Sequence, residues 1–266
     1  RDRNQNVLIT NDAAMCTTPC SEERTEEIWR KLGVGVGREV LALNVNPYFN
    51  SWAGLKQQSL TKEDFIRIYS AGVNRALKNI DADILFVSTQ HMDDPLSREI
   101  MARINTPNKK AIFSNREYSH YEVRGVMTKP SLLFAMRLHC LILTSSGCTP
   151  VISLNYLPKV TTYLKSLGLA DYSLSFEHFN EEAIASHLTK GWADRRQIKN
   201  QLLERVPNMQ REVRKAAQLV AAIRQGEDAG SVIARLKAPA PVMNGVNHLE
   251  ARVCLLYTSP SPRDGL

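Results

Sequence analysis

Cysteine is scarce in this 266-residue chain: five residues, an odd number scattered over the length, which excludes the dense disulfide frameworks of small secreted domains and reads as reduced thiols. Cys16 and Cys20 stand four apart, but no second Cys or His pair at ligand spacing follows, so no metal site is expected. Long apolar runs are missing too. The longest, residues 132–143, is broken by Arg137 and His139 and falls short of the roughly 18–20 residues a membrane span requires. No Lys/Arg-rich block carries interleaved aromatics, which argues against a nucleic-acid module. What is present is 43% hydrophobic residues and a modest basic excess, 34 Lys+Arg against 27 Asp+Glu, or +7. That composition fits a packed domain of enzyme size. The charge suits an anionic small molecule, a polyanion or an anionic membrane surface equally, so it names no partner.

The chain begins at Arg1 without Met or leader, and reads as a fragment cut upstream. Residues 252–266 resemble translated sequencing-adaptor read-through and are set aside from fold reasoning. Before them, residues 238–251 open on a Pro/Ala/Gly-rich stretch without apolar periodicity and read as linker.

From residue 39 onward, short apolar runs alternate with helical patterns, which predicts βα units and a largely parallel sheet. Strands are expected at 39–45, 83–88, 110–113, 131–136, 151–155 and 172–176. Thr61 and Asp64 form a capping-box-like start, after which Phe65, Ile68, Gly72, Ala76 and Ile80 fall on one helical face. Further helices are expected at 96–104, 117–127, 138–146, 160–167 and 181–190, with Gly147 as the stop before Pro150, and at 195–224 interrupted at Pro207. The result is a Rossmann-like, doubly wound α/β domain at 39–190 followed by terminal helices at 191–237.

Three loops carry candidate chemistry. Gly33, Gly35 and Gly37 precede a strand instead of following one, so they read as a turn and not as a phosphate loop. Arg137 and His139 interrupt an apolar run, which core sequence seldom tolerates; at a strand-to-helix junction they would sit at the carboxyl end of the sheet, where open α/β folds bind anions. The bland alternative is a buried Arg137 paired with Glu122 or Asp171, beside a hydrogen-bonded core His139. Tyr156 and Lys159 follow the next strand toward the same end. His91, with Asp93 and Asp94, follows the second strand, an arrangement usable for acid/base work near neutral pH, or simply a surface Asp-Pro turn.

The Arg137-Leu138-His139 element, then Gly147-x-x-Pro150 with Tyr156 six residues later, then Tyr156-x-x-Lys159, occur in order and at matching spacing. In these elements the chain resembles the polysaccharide pyruvyl transferase family over residues 8–225, with Asn11-Asp12-Ala13-Ala14 resembling the segment that leads into that family's second domain. The resemblance implies the C-terminal half of a glycosyltransferase-B-type two-domain fold, with residues 1–38 the end of a lost N-terminal domain and its linker. It also implies transfer of pyruvate from phosphoenolpyruvate to a sugar of a surface or exopolysaccharide as a ketal, releasing phosphate. Arg137 would grip the donor's carboxylate or phosphate, as a planar guanidinium does better than an ammonium. His139 first, and His91 second, would move protons; Lys159 would neutralise departing phosphate; Leu138, Tyr156, Asn44 and Asp93 would complete the substrate site. No cofactor beyond the donor substrate is implied. The acceptor would be a polysaccharide or lipid-linked oligosaccharide, with no nucleic acid, in the cytoplasm or at the inner face of a membrane through peripheral association.

Some relatives carry Arg where Asn44 stands, which puts phosphate affinity in question. The competing readings are a nucleotide-sugar glycosyltransferase or epimerase of the same architecture, and a non-catalytic anion- or polysaccharide-binding protein.

Overall fold

The structure is a computed structural model that describes residues 7–47 and 60–237; the linker expected at 238–251 and the tail at 252–266 lie outside the described residues. The chain divides into two compact units, one of Pro19–Leu202 and one of Arg1–Thr18 with Leu203–Leu266.

The larger unit is built on a six-stranded sheet: β1 (Val40–Asn44), β2 (Asp83–Ser88), β3 (Lys110–Ser114), β4 (Leu132–Ala135), β5 (Val151–Asn155) and β6 (Ser173–Ser175). All neighbours pair in parallel, in the order β3-β2-β1-β4-β5-β6. The doubly wound α/β fold anticipated from the alternating pattern is therefore the one formed. Every residue of β1, β2, β4 and β5 is buried. Since successive side chains point to opposite faces, such strands must be covered on both sides, which is why they read as continuous apolar runs. The edge strands β3 and β6 are only part-buried.

The helices follow in chain order: α1 (Glu22–Leu32), α2 (Lys62–Ala76), α3 (Asp94–Arg103), α4 (His120–Val126), α5 (Leu138–Ser145), α6 (Pro158–Ser166), α7 (Glu181–Ala193), α8 (Arg195–Arg224) and α9 (Ala229–Lys237). Thr61 caps α2 by accepting from the Asp64 amide, and Ser119 and Glu122 close a full capping box on α4. Phe65 and Tyr69 of α2 stack with Phe176, Phe179 and Phe134 at centroid separations of 5.1–6.2 Å, joining helix to sheet. Gly72 lets α2 and α7 meet: a Cβ there would stand 2.6 Å from Ile184 Cβ. Gly33, Gly35 and Gly37 all have positive φ in the turn between α1 and β1, as a turn reading requires.

Gly147 follows directly on the end of α5, where the stop was expected, and Cys148 beside it takes the left-handed φ (59°). Two expectations are corrected. The α2 helix ends at Ala76, so Ile80 is buried from the loop beyond it. Finally, α8 runs unbroken through Pro207, because losing one amide donor in a 30-residue helix leaves the surrounding bonds intact.

In the smaller unit, Asp12 caps the short turn Ala13–Cys16. This segment is tied to the part of α8 beyond Leu202: Gln210 Nε2 donates to the Met15 carbonyl at 3.0 Å and Asn11 Nδ2 to that of Met209 at 3.5 Å.

Candidate functional site

The strand order reverses between β1 and β4, and the crevice outside their carboxyl ends is where an open α/β sheet presents its loops to a ligand. Asn44 closes β1 there and is fully buried. Its Nδ2 donates to the Val87 carbonyl of β2 at 2.9 Å, and its Oδ1 accepts from the Arg137 amide at 3.0 Å. One side chain thus binds three neighbouring strands together and fixes the β4–α5 junction.

Arg137 is the N-cap residue of α5, as the polar interruption in the apolar run suggested. It pairs with neither Glu122 nor Asp171. Glu122 is held instead by Arg24 at 2.7 Å. Arg137 Nε and Nη2 each donate to a different oxygen of Asp93 at 2.5 Å, a two-pronged pairing. Asp93 closes the short turn His91–Asp93 after β2, and its side chain is wholly buried. Burial pushes its carboxyl above the usual carboxylate range; the bonds from Arg137 pull the other way, and His91 adds a smaller pull in the same sense. Nη1 of Arg137 donates no hydrogen bond among the described residues.

Tyr156, just past β5, is half-buried, and its hydroxyl accepts from Asn46 Nδ2 at 2.6 Å. Burial pushes the phenol up, while the charge of nearby Arg137 acts downward. Asn46 was not singled out from sequence, although a second Asn two residues beyond the buried Asn44, where the apolar strand has ended, is the signal that marks it. Leu138 is half-buried on the first turn of α5, and His139 beside it is exposed instead of lying in the core. Lys159 is exposed on the first turn of α6, and His91 is exposed at the start of its turn. Neither α5 nor α6 has a side-chain cap, their N-cap residues being Arg137 and Leu157. Their leading amides therefore add positive potential at this end of the sheet.

The structure thus joins Arg137, Asp93 and Asn44 by direct bonds, bonds Tyr156 to Asn46, two residues beyond Asn44, within the field of Arg137, and places His139, His91 and Lys159 on the surrounding first turns. Among the described residues no group of three or more His, Cys, Asp or Glu is arranged to hold a metal ion. No helix among them is long and apolar enough to cross a membrane.

No protein-family model and no curated protein matches this chain. Among solved structures, it is similar to a glycosyltransferase from Rickettsia africae, with a TM-score of 0.48, 14% identity, and coverage of 83% of this chain and 57% of that one. It is also similar to a mutant O-GlcNAc transferase from Thermobaculum terrenum (TM-score 0.47, 10% identity, 75% of this chain and 37% of that one). The N-terminal domain of trehalose-6-phosphate phosphatase from Candida albicans gives a TM-score of 0.44 at 10% identity, over 81% of this chain and 48% of that one. The chain therefore spans between 37% and 57% of the length of these structures. The doubly wound class assigned above rests on the observed strand order.

Proposed function

We propose that this chain carries the donor-binding half of a transferase that moves pyruvate from phosphoenolpyruvate to a sugar as a cyclic ketal. The observation that carries the reading is Arg137, held at the uncapped N-terminus of α5 beside the strand-order reversal, with Nη1 left to donate. A small multiply charged anion placed there meets a guanidinium edge and helix amides together.

Asp93 offsets the charge of Arg137, so the remaining positive field on the donor comes from Lys159 and from His139 or His91 when protonated. In the proposed chemistry one sugar hydroxyl adds to C2 of the enol phosphate while a proton reaches its methylene carbon. A second hydroxyl then displaces phosphate from the same carbon, closing the ketal and releasing hydrogenphosphate. Both hydroxyl protons must be taken up, one ending on the new methyl group and one leaving with phosphate. His139 is assigned the proton transfers, with His91 second, because imidazole takes and gives protons near neutral pH. Lys159 is assigned to the departing phosphate, and Tyr156 and Leu138 to the pocket wall. Asn44 and Asp93 orient Arg137.

The test is a titration of the chain followed by phosphorus NMR, with phosphoenolpyruvate and a UDP-sugar in one tube at fixed ionic strength. Saturable broadening of the phosphoenolpyruvate resonance, abolished in Arg137→Ala, is expected. Selective broadening of the UDP-sugar would replace this reading with nucleotide-sugar transfer, to which the uncapped helix ends are equally open.

A further inference from the structure

A second cluster of unusual groups lies at the opposite, amino-terminal end of the strands. A cavity of about 320 Å³ opens there between the segments that lead into β1, β4 and β5, lined among others by Glu39, Lys129, Cys148, Arg195, Arg196 and Lys199. Two of its cations are engaged: Lys129 by Glu22 and Glu26, and Arg195 by both oxygens of Glu39 at 2.9 Å. Arg196 and Lys199 are exposed on the first turns of α8, and no ion pair holds them among the described residues.

Beneath this cavity lies Arg124, 6% exposed, with Nε and Nη1 buried and without a hydrogen-bond partner. Buried guanidinium donors without partners are costly, and a molecule retains them where some anion is to be met. The guanidinium is pressed against Gly147 of the cavity wall: a Cβ there would stand 2.8 Å from Nη1 and 2.9 Å from Nη2. The absence of a side chain at 147 therefore leaves the cation against the backbone that presents Cys148. Burial lowers the pKa of Arg124, and the charge of the Cys148 sulfur acts to raise it.

We infer that Cys148 is a site of reversible thiol modification, selective for small anionic disulfides. The Cys148 thiolate, with the Arg124 guanidinium against the adjoining Gly147, attacks one sulfur of the disulfide. The reagent's S–S bond breaks, a mixed disulfide forms on Cys148, and the departing thiolate takes up a proton. No further oxidant is needed, since the incoming disulfide is reduced by one thiol as Cys148 is oxidised. Arg196 and Lys199 supply the preference for carboxylate-bearing reagents. Cys16 and Cys20 are similarly half-buried but lack this setting: burial pushes the Cys16 thiol up, and the Cys20 sulfur is engaged with the Thr25 hydroxyl at 3.3 Å.

The experiment exposes the whole chain to oxidised glutathione or, separately, to the cationic disulfide cystamine at equal concentration and ionic strength, with the modified peptides mapped over time. Cys148 is expected to react roughly tenfold faster than Cys20, and faster with glutathione disulfide than with cystamine. Arg124→Met is expected to bring Cys148 down to the rate of Cys20. Should that variant fail to fold, the exposed pair Arg196→Gln and Lys199→Gln decides: it must erase the preference for the anionic reagent. Equal rates at Cys148 and Cys20, a preference for cystamine, or a folded Arg124→Met variant that reacts unchanged would each overturn the assignment.

Discussion

At the scale of single residues, the site depends on buried polar atoms with very few partners, so small changes have definite costs. Asn44→Ala strips the Val87 carbonyl and the Arg137 amide of their bonds at once. It is expected to lower stability by about 1–3 kcal/mol, seen as an earlier urea midpoint, and to weaken phosphoenolpyruvate binding. A midpoint equal to wild type would remove Asn44 from its positioning role. His187 behaves differently. Burial depresses its pKa to about 4, and its Nε2 has no partner. The unfolded chain therefore binds more protons between about pH 6.5 and pH 4, and stability falls as pH falls through that window. The shift corresponds to a loss of up to about 3 kcal/mol, and urea unfolding of His187→Phe should show a flatter pH dependence there. What sequence conveyed at this scale was uneven. Arg137 announced itself as a charge within an apolar run, whereas its partner Asp93, 44 residues away, carries no local mark of the pairing. Unpaired Arg124 was likewise unreadable, since it sits in an ordinary helical pattern and only tertiary packing buries it.

Secondary elements show where local pattern suffices and where it does not. The helix start marked by Thr61 could be read because a cap bonds to its own first turn, whereas the Ser119–Glu122 box went unread and that helix was begun too early, at 117. The order and type of the six strands were legible for a similar reason: runs buried on both faces are continuous in sequence. Stops were less legible. A proline was expected to break α8, and the α2 face to run on to Ile80, but propensity is a local preference that neighbouring contacts override. The Gly72 contact gives an element-level prediction. Gly72→Ala would drive a methyl into Ile184 and push α2 away from α7. Overpacking of this kind costs about 1–3 kcal/mol. Thermal unfolding should show a lowered Tm, although alanine is the better helix former; a raised Tm would mean that the two helices separate freely.

For the whole molecule, charge and architecture act together. The +7 excess creates a background attraction for anions that salt screens, while the buried Arg137–Asp93 pair is shielded from it. Under the proposed function, affinity for phosphoenolpyruvate is expected to fall several-fold between roughly 0.05 M and roughly 0.5 M salt, with the residual affinity at high salt lost in Arg137→Ala. An affinity that does not respond to salt would place all recognition in the buried pair. The architecture itself was the most legible property, since alternating strands and helices admit few arrangements.

Asn44 joins positions 43 and 93 residues distant along the chain, and Arg137 reaches 44 residues back to Asp93. Helices can appear in a refolding chain before any of these positions meet, but the proposed anion site has no partial form, because its geometry exists only once β1, β2 and β4 lie side by side. Ligand binding should consequently be the last property to return on dilution from denaturant, lagging the recovery of helical circular dichroism. The site would then serve as a clock for the final docking of the sheet.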